Sequence, residues 1–380
     1  MSRLILGLDA RPALFGRTGF GRVVRESMRL LADRSDVELR PFGAAWRRAR
    51  PECHVRGVRS PRIPARLQKW LEPLGFGVET VLGPLDVYHH TDLVYAPVSR
   101  TPEILTIYDL VFLQEPGWHE AGFAKRVMSR LAPRAKVARR IVVPSVRVAR
   151  DVVHHGLATS ERVIVNPLGA DHVDGTAQAD DRVRVEKLLE RAGLGFSRGD
   201  LLVLVPGTRE PRKNQQALLD VFLAGAGISP ATLLFVGPRG WGCEDLETQL
   251  GALSHEPGAR RRVGVAGEVS EEDLAASLRV SDLVAYPSFA EGFGLPVAEA
   301  MRCGRAVLTS EETPMADFGG DAVVAVNPRD RSALSSALES LLREPSLRSE
   351  LGQAAVTRIA QARWEAHTET LVDVYKAALS

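Results

Sequence analysis

Short apolar runs alternate with amphipathic stretches along the whole chain. Strand-like runs fall at 3–9, 37–42, 85–89, 104–108 and 140–144, and again at 201–205, 231–237, 282–286 and 305–309. Between them the spacing of apolar positions predicts helices near 19–33, 122–139, 145–156, 213–226, 243–253, 271–280 and 295–303. Continuously apolar strands are buried on both faces, and their alternation with helices predicts an α/β architecture with parallel sheets. The pattern breaks once, near 168–182. There Arg162-Val-Ile-Val-Asn166 ends at Pro167-Leu-Gly169, and a polar stretch from Asp171 to Asp181 precedes the next strand, Leu201-Leu-Val-Leu-Val205. A chain of 380 residues is in any case too long for one ordinary core. The expectation is two facing Rossmann-like domains, 1–170 and 171–360, with ligands at the carboxyl ends of the strands. The tail from 330 onward is helical almost throughout, and 361–380 is expected to cross back onto the first domain.

Composition changes this picture little. At 45% hydrophobic and 25% charged the chain is globular, and a net charge of +2 points to neither nucleic acid nor membrane. Arginine strongly outnumbers lysine, which favours anion recognition. Cys53, Cys243 and Cys303 are far apart and odd in number, which fits neither a disulfide framework nor a zinc site and suits a reducing compartment. No apolar run approaches the ~20 residues of a membrane-spanning helix. The N-terminus enters the strand Arg3-Leu-Ile-Leu-Gly-Leu-Asp9 without a signal peptide, so a cytoplasmic protein is expected. One stretch departs from neutrality: 40–70 holds Arg40, Arg47, Arg48, Arg50, Arg56, Arg59, Arg62, Arg66 and Lys69 against Glu52. It reads either as a solvated basic face or as a site for anionic groups, on an acceptor or at an anionic inner-membrane surface. The pairs His89–His90 and His154–His155 lack the i, i+4 spacing of a helical metal site and read as packing or surface residues.

Three strings carry chemistry. In Ala290-Glu-Gly-Phe-Gly-Leu-Pro-Val-Ala-Glu-Ala-Met301, which follows a strand, Gly292 and Gly294 allow close approach of a ligand to the backbone. Pro296 suits the first turn of a helix whose unpaired N–H groups attract phosphate oxygens. Glu299, about one turn in, would be repelled by phosphate and should accept from neutral hydroxyls such as a ribose diol; Glu291 could do so for a sugar. In Val205-Pro-Gly-Thr-Arg-Glu-Pro-Arg-Lys-Asn214, Lys213, Arg212 and Arg209 could neutralise a diphosphate leaving group. In Asp9-Ala-Arg-Pro-Ala-Leu-Phe-Gly-Arg-Thr-Gly-Phe-Gly-Arg22, Gly19 and Gly21 fit a phosphate loop or a plain helix-start turn. Trp118 and His119 could line an acceptor cleft or simply pack.

Together these strings resemble glycosyltransferase family 4, retaining enzymes of the GT-B fold, over nearly the whole chain. The resemblance also rests on Leu105-Thr-Ile-Tyr-Asp-Leu110, Val142-Val-Pro-Ser145, Asn166-Pro-Leu-Gly169, Gly237-Pro-Arg-Gly-Trp241, Gly267-Glu-Val-Ser-Glu-Glu-Asp-Leu274 and Ala300-Met-Arg-Cys-Gly304. It implies transfer of a hexose-type sugar from a nucleotide diphosphate donor to a glycan, lipid-linked or small-molecule acceptor, with retention at the anomeric carbon. Glu291 and Glu299 would be the glutamates of the family's E-x7-E motif, within which Gly292, Phe293, Gly294 and Leu295 would line the donor. Lys213 and Arg212 would contact the diphosphate, Gly19 would lie over the phosphates from the other domain, and the backbone near Val265 to Gly267 would meet the base. Two positions depart from the family pattern. Tyr108 replaces a histidine of the sugar pocket, where its hydroxyl either binds a donor-sugar hydroxyl or its ring only walls the site. Thr208 stands where a basic residue is usual, with Arg209 one position later. No Asp-x-Asp occurs, so neither a divalent metal nor another cofactor is expected, and cationic side chains and helix termini would take over the metal's role. A non-catalytic nucleotide-sugar-binding subunit, or an epimerase or phosphorylase of GT-B type, are the rival readings.

Overall fold

The apolar runs become strands of two parallel sheets in the computed structural model, which describes residues 3–15, 19–43, 57–59, 77–93, 96–174, 178–195, 199–225, 231–253 and 261–379. Strands β1 (Leu4–Asp9), β2 (Val37–Phe42), β3 (Val87–His90), β4 (Glu103–Thr106), β5 (Arg140–Val143) and β6 (Val163–Val165) form one sheet in the order β2-β1-β3-β4-β5-β6. Strands β7 (Leu201–Pro206), β8 (Ala231–Val236), β9 (Arg261–Gly267), β10 (Leu283–Tyr286), β11 (Ala306–Ser310) and β12 (Val324–Val326) form the other, ordered β12-β11-β10-β7-β8-β9. Every strand pairing among the described residues is parallel. Strand order reverses between β1 and β3 in the first sheet and between β7 and β10 in the second. Such a reversal opens a crevice at the carboxyl ends of the strands on either side of it.

The described residues divide into two compact units. One holds the chain up to Gln114, Ala121–Gly169 and everything from Arg363 on; the other holds Ala170–Ala362 together with the short segment Glu115–Glu120. In the first unit the side-chain alternation of the strands builds a core on each face of the sheet. Leu4, Leu6, Leu8, Ile104 and Val142 pack with Val24, Met28 and Leu31 of the helix Gly19–Ala32 and with Leu371 and Tyr375 of the helix Trp364–Ala377. Leu105, Ile141 and Val143, one residue out of phase, pack with Leu131 and Ala135 of the helix Phe123–Val137 and Val148 and Val152 of the helix Val146–His154. The second unit's core joins Val203, Val205, Leu233, Phe235, Leu283 and Leu308 to helices carrying Leu218, Phe222, Leu334 and Leu338.

Three elements differ from the periodicity reading. The polar segment after 171 includes a helix, Ala179–Arg191, whose buried positions are few: Asp181, Val185, Leu188 and Leu189. Ion pairs fasten it to the helix Glu271–Val280, with Arg279 forking onto Asp181 at 2.7 and 2.8 Å and Arg184 reaching Asp273 at 2.9 Å. An apolar-period search passes over a helix held this way. Strands β9 and β12 are the two edges of their sheet; β9 is broken by arginine and glycine, and β12 has three residues, too short to stand out as a run.

The C-terminal helix is tied to the first unit by buried polar contacts. His89, on β3, joins Tyr375 Oη through Nδ1 and Thr106 Oγ1 through Nε2, each at 2.7 Å. His367 Nδ1–H donates to Pro167 O at 2.9 Å, and Asn166 Nδ2 donates to His367 O at 3.1 Å. His90 is also buried, its Nε2 2.6 Å from Glu103, so this histidine pair does serve packing. Burial pulls His89 down to about 3 and His367 to about 4. An unfolded chain would protonate both near ~6.5. A depressed histidine contributes stability above that value and loses it as the pH falls, because the unfolded state then binds more protons. Thermal unfolding followed by circular dichroism should therefore show a melting temperature that declines between about pH 6.5 and 4. The decline should be shallower for His89→Gln, which removes one of the depressed histidines.

Candidate active site

The reversal between β7 and β10 places two strand-ending loops side by side. β10 lies against β7 with Leu283 opposite Val203 and Val284 opposite Leu204. The first loop leaves β7 through Gly207, whose φ of 112° suits glycine, and Gly207 N–H donates to Val236 O at 2.8 Å. It then forms a 3-10 turn, Pro211–Lys213, before Asn214 takes a left-handed conformation and opens the helix Gln215–Ala224. Lys213 therefore precedes the helix rather than starting it, and it is buried rather than solvated. The second loop leaves β10 at Tyr286 and enters the helix Leu295–Arg302 through Gly294, at φ 90°. Phe289 N–H donates to Arg212 O at 2.9 Å and stitches the two loops together.

At this junction lies a compact charge cluster. Lys213 Nζ reaches Glu291 Oε1 at 2.5 Å and also donates to the Tyr286 hydroxyl, with its ammonium 4.6 Å from the centre of the Tyr286 ring. Arg212 Nη1 sits 2.9 Å from Glu291 Oε2 and donates to Ala290 O at 2.6 Å, while Nη2 reaches Glu210 at 2.6 Å. Two cations thus face two carboxylates, with all four side chains about nine-tenths buried or more. Burial opposes the charge on Glu291, but Arg212 and Lys213 outweigh it and hold the carboxyl at about 2. Burial lowers Lys213 against the opposing pull of Glu291, and burial pushes the Tyr286 phenol well above its ordinary range. In this cluster Glu291 pairs with both cations and holds them side by side.

Glu299 lies on the helix Leu295–Arg302, buried, with Oε1 2.9 Å from His172 Nε2. At the start of that helix Pro296 carries no N–H, and the Val297 and Ala298 N–H groups donate to Gly294 O at 2.9 and 3.3 Å. Gly292, Phe293, Gly294 and Leu295 form the approach to it, with Phe293 packed on Phe318 at 5.1 Å between ring centres. Arg209 is engaged differently from Arg212. Its guanidinium pairs with Glu247 and donates to Gly237 O at 2.8 Å, which ties the β7 loop to the β8 loop instead of leaving it beside Lys213. Gly237 completes that junction, since a Cβ there would fall 2.2 Å from Gly207 O. Val265, on β9, pairs with Phe235 of β8 and packs, partly buried, against the core near the strand end leading to Gly267.

Other sequence candidates lie elsewhere. Trp118 and His119 sit in the segment that packs with the second unit. Trp118 stacks on Phe289 with 6.0 Å between ring centres, and His119 lies 5.6 Å from the Trp241 ring, so both rings are used in packing. Tyr108, in the first unit, stacks on Phe20 at 4.5 Å and borders a small pocket with His89, Thr91, Thr106, Asn166 and His367. Burial raises its phenol pKa. Gly19 begins the helix Gly19–Ala32, and the loop residues 16–18 before it lie outside the described residues. So does most of the basic stretch, including Arg47, Arg48 and Arg50. Arg40 and Arg59 are described, and they donate to backbone carbonyls at Leu82, Pro84 and Val81. Tyr286, Glu210 and His172 are members of these clusters that the motifs alone did not single out. Only the position of Tyr286, last residue of a strand at the reversal, was a signal available beforehand.

Among the described residues no helix is long and apolar enough to cross a membrane, and no group of three His, Cys, Asp or Glu side chains could hold a metal ion. Residues 186–358 match the family model described as glycosyl transferases group 1. The chain is 26% identical to O-antigen chain mannosyltransferase B of Escherichia coli, across 96% of this chain and 97% of that protein. It is 31% identical to D-inositol 3-phosphate glycosyltransferase of Corynebacterium jeikeium, across 62% of this chain and 57% of that one. Among solved structures it is similar to Anabaena HepE in complex with UDP and glucose, with a TM-score of 0.75, 17% identity and coverage of 99% of this chain and 100% of that one. From the group 1 match over residues 186–358 and the fold shared with HepE, it follows that the second unit carries a region matching the group 1 glycosyl transferases within a chain of the GT-B fold.

Proposed function

We propose that the protein transfers a hexose-type sugar from a nucleotide diphosphate donor to a glycan, lipid-linked or small-molecule acceptor, with retention of configuration and without a divalent metal. The observation that carries this reading is the buried cluster of Lys213, Arg212 and Glu291 beside the start of the helix Leu295–Arg302. In the reaction the bond from the anomeric carbon to the diphosphate oxygen breaks, and a bond to the acceptor oxygen forms on the same face. The acceptor's proton leaves with the diphosphate. Negative charge grows on that diphosphate, where Lys213, Arg212 and the positive end of the helix Leu295–Arg302 stabilise it more in the transition state than in the bound donor. Two positive side chains and a helix terminus do what a bound cation does in metal-dependent transfer. Glu291 orients both cations and stands next to the sugar, while Glu299 accepts from the ribose hydroxyls. HepE, solved with UDP-glucose, and the mannosyltransferase relative support a nucleoside-diphosphate hexose as the donor class.

A thermal-shift panel of UDP-, GDP-, ADP- and dTDP-sugars tests donor binding, because a ligand at ~100 times its Kd stabilises by about 2.7 kcal/mol. The stabilising donor should then turn over in the presence of a chelator at an unchanged rate; strict dependence on magnesium or manganese would remove the metal-free reading. Glu299→Gln should weaken donor binding about tenfold or more by calorimetry, since hydrogen bonds to a charged acceptor are worth ~1.5–3 kcal/mol. Unaltered affinity would take Glu299 out of the donor site.

A further inference from the structure

Glu299 is a buried carboxylate that meets neither Lys213 nor Arg212; the partner that fixes it is His172. His172 lies in a 3-10 turn, Asp171–Val173, near the point where the chain enters the second unit. Both side chains are about 5% exposed, and a carboxylate can only accept, so imidazole Nε2–H donates to Oε1 at 2.9 Å. The turn is pinned from two sides. Arg302, on the same helix as Glu299, forks onto Asp174, with Nη2 at 2.6 Å, and Nη1 donates to Ala360 O at 3.0 Å. Arg279 reaches Val173 O at 3.4 Å while its fork holds Asp181. A histidine whose backbone is clamped between two helices presents its N–H at a fixed point, and so fixes one oxygen of Glu299.

We propose that His172 is a positioning residue of the donor site: it ties up Glu299 Oε1 and leaves Oε2, with its lone pairs, as an oriented acceptor for neutral hydroxyls of the nucleoside. This rests on the reading of Glu299 given above. A glutamate has three rotatable bonds, and without the imidazole its buried carboxylate would lose its fixed orientation and turn away. Substrate binding is then lost without any change at the phosphate cluster.

The test is a double-mutant cycle read by calorimetry with UDP, GDP, ADP and dTDP, using whichever binds the wild type. His172→Leu should weaken binding about tenfold, and His172→Gln, whose amide can still donate, should stay within about threefold of wild type. In the Glu299→Gln background His172→Leu should change affinity by less than about twofold, because the group it acts through is gone. The turnover number at saturating donor should stay within about threefold for His172→Leu, with the loss confined to KM. If Leu prevents folding, His172→Asn replaces it, since its shorter amide stops short of Glu299. Wild-type affinity in His172→Leu, beside a weakened Glu299→Gln, overturns the positioning role and leaves the donor reading standing. An equal loss in both backgrounds also overturns it, because the effect then does not pass through Glu299. Wild-type affinity in Glu299→Gln removes both.

Discussion

Lys213→Ala should lower the turnover number by a factor on the order of 10²–10³, the usual consequence of deleting one preorganised charge stabiliser. The ammonium is buried, held by Glu291 and by the Tyr286 hydroxyl, so it cannot swing away to solvent and has no reorganisation to undergo when charge develops on a leaving group. Its removal leaves Glu291 still paired with Arg212 at 2.9 Å, so the carboxylate is not stranded and the variant should fold. Arginine is no substitute, because a planar fork does not fit between a phenol and a carboxylate arranged for a point charge. The measurements are steady-state rates at saturating donor and a thermal melt of the same preparation. A rate loss below about threefold with folding intact would mean that the diphosphate is held elsewhere.

The second large effect is expected at Gly294, on stability as well as activity. Its φ of 90° is a conformation that costs an L-residue ~1–2 kcal/mol. A Cβ there would also fall 2.2 Å from Met315 Cγ and 2.5 Å from Sδ, and Met315 is fully buried. Overpacking of that kind costs ~1–3 kcal/mol. Gly294→Ala should therefore destabilise the second unit by about 2–5 kcal/mol and lower its melting temperature on the order of 10 °C. Activity should fall even below the melting point, because relief of the clash displaces the start of the helix that carries Glu299. Gly251→Ala is the control: nothing lies within 4 Å of its Cβ and it is helical. That substitution should stabilise by about 0.5–1 kcal/mol. If both variants melt alike, the contact with Met315 is not rigid.

Much of the fold was legible because the information is local. Leu201-Leu-Val-Leu-Val205 and Ala231–Val236 are continuous apolar runs that can be satisfied only as strands covered on both faces. The string from Ala290 to Met301 carries the glycine that permits φ 90°, the proline that opens a helix and a glutamate one turn in. These requirements belong to the backbone and travel with the residues themselves. Elements whose burial is partial were not legible in this way. The helix Ala179–Arg191 is stabilised by arginine–aspartate pairs with another helix, and the edge strands β9 and β12 need only one neighbour, so neither leaves a clean period.

The sequence by itself determined that two parallel α/β sheets would form and which strand-ending loops would carry the glycines and the charged motif residues, because hydrophobic period, glycine placement and helix starts are properties of adjacent residues. Only the tertiary structure decided which charges meet. Arg209 and Arg212, three positions apart, look equivalent in the string; the fold turns one onto Glu247 and Gly237 and the other onto Glu291 and Glu210. Lys213, which the string alone leaves open as a solvated helix start, is buried because β10 brings Tyr286 and Glu291 beside it from more than seventy residues away. Glu299 finds His172 across 127 positions of sequence for the same reason. Charge pairing depends on distances of a few ångströms between side chains remote along the chain, and a parallel sheet sets those distances through its strand order, which no local pattern encodes.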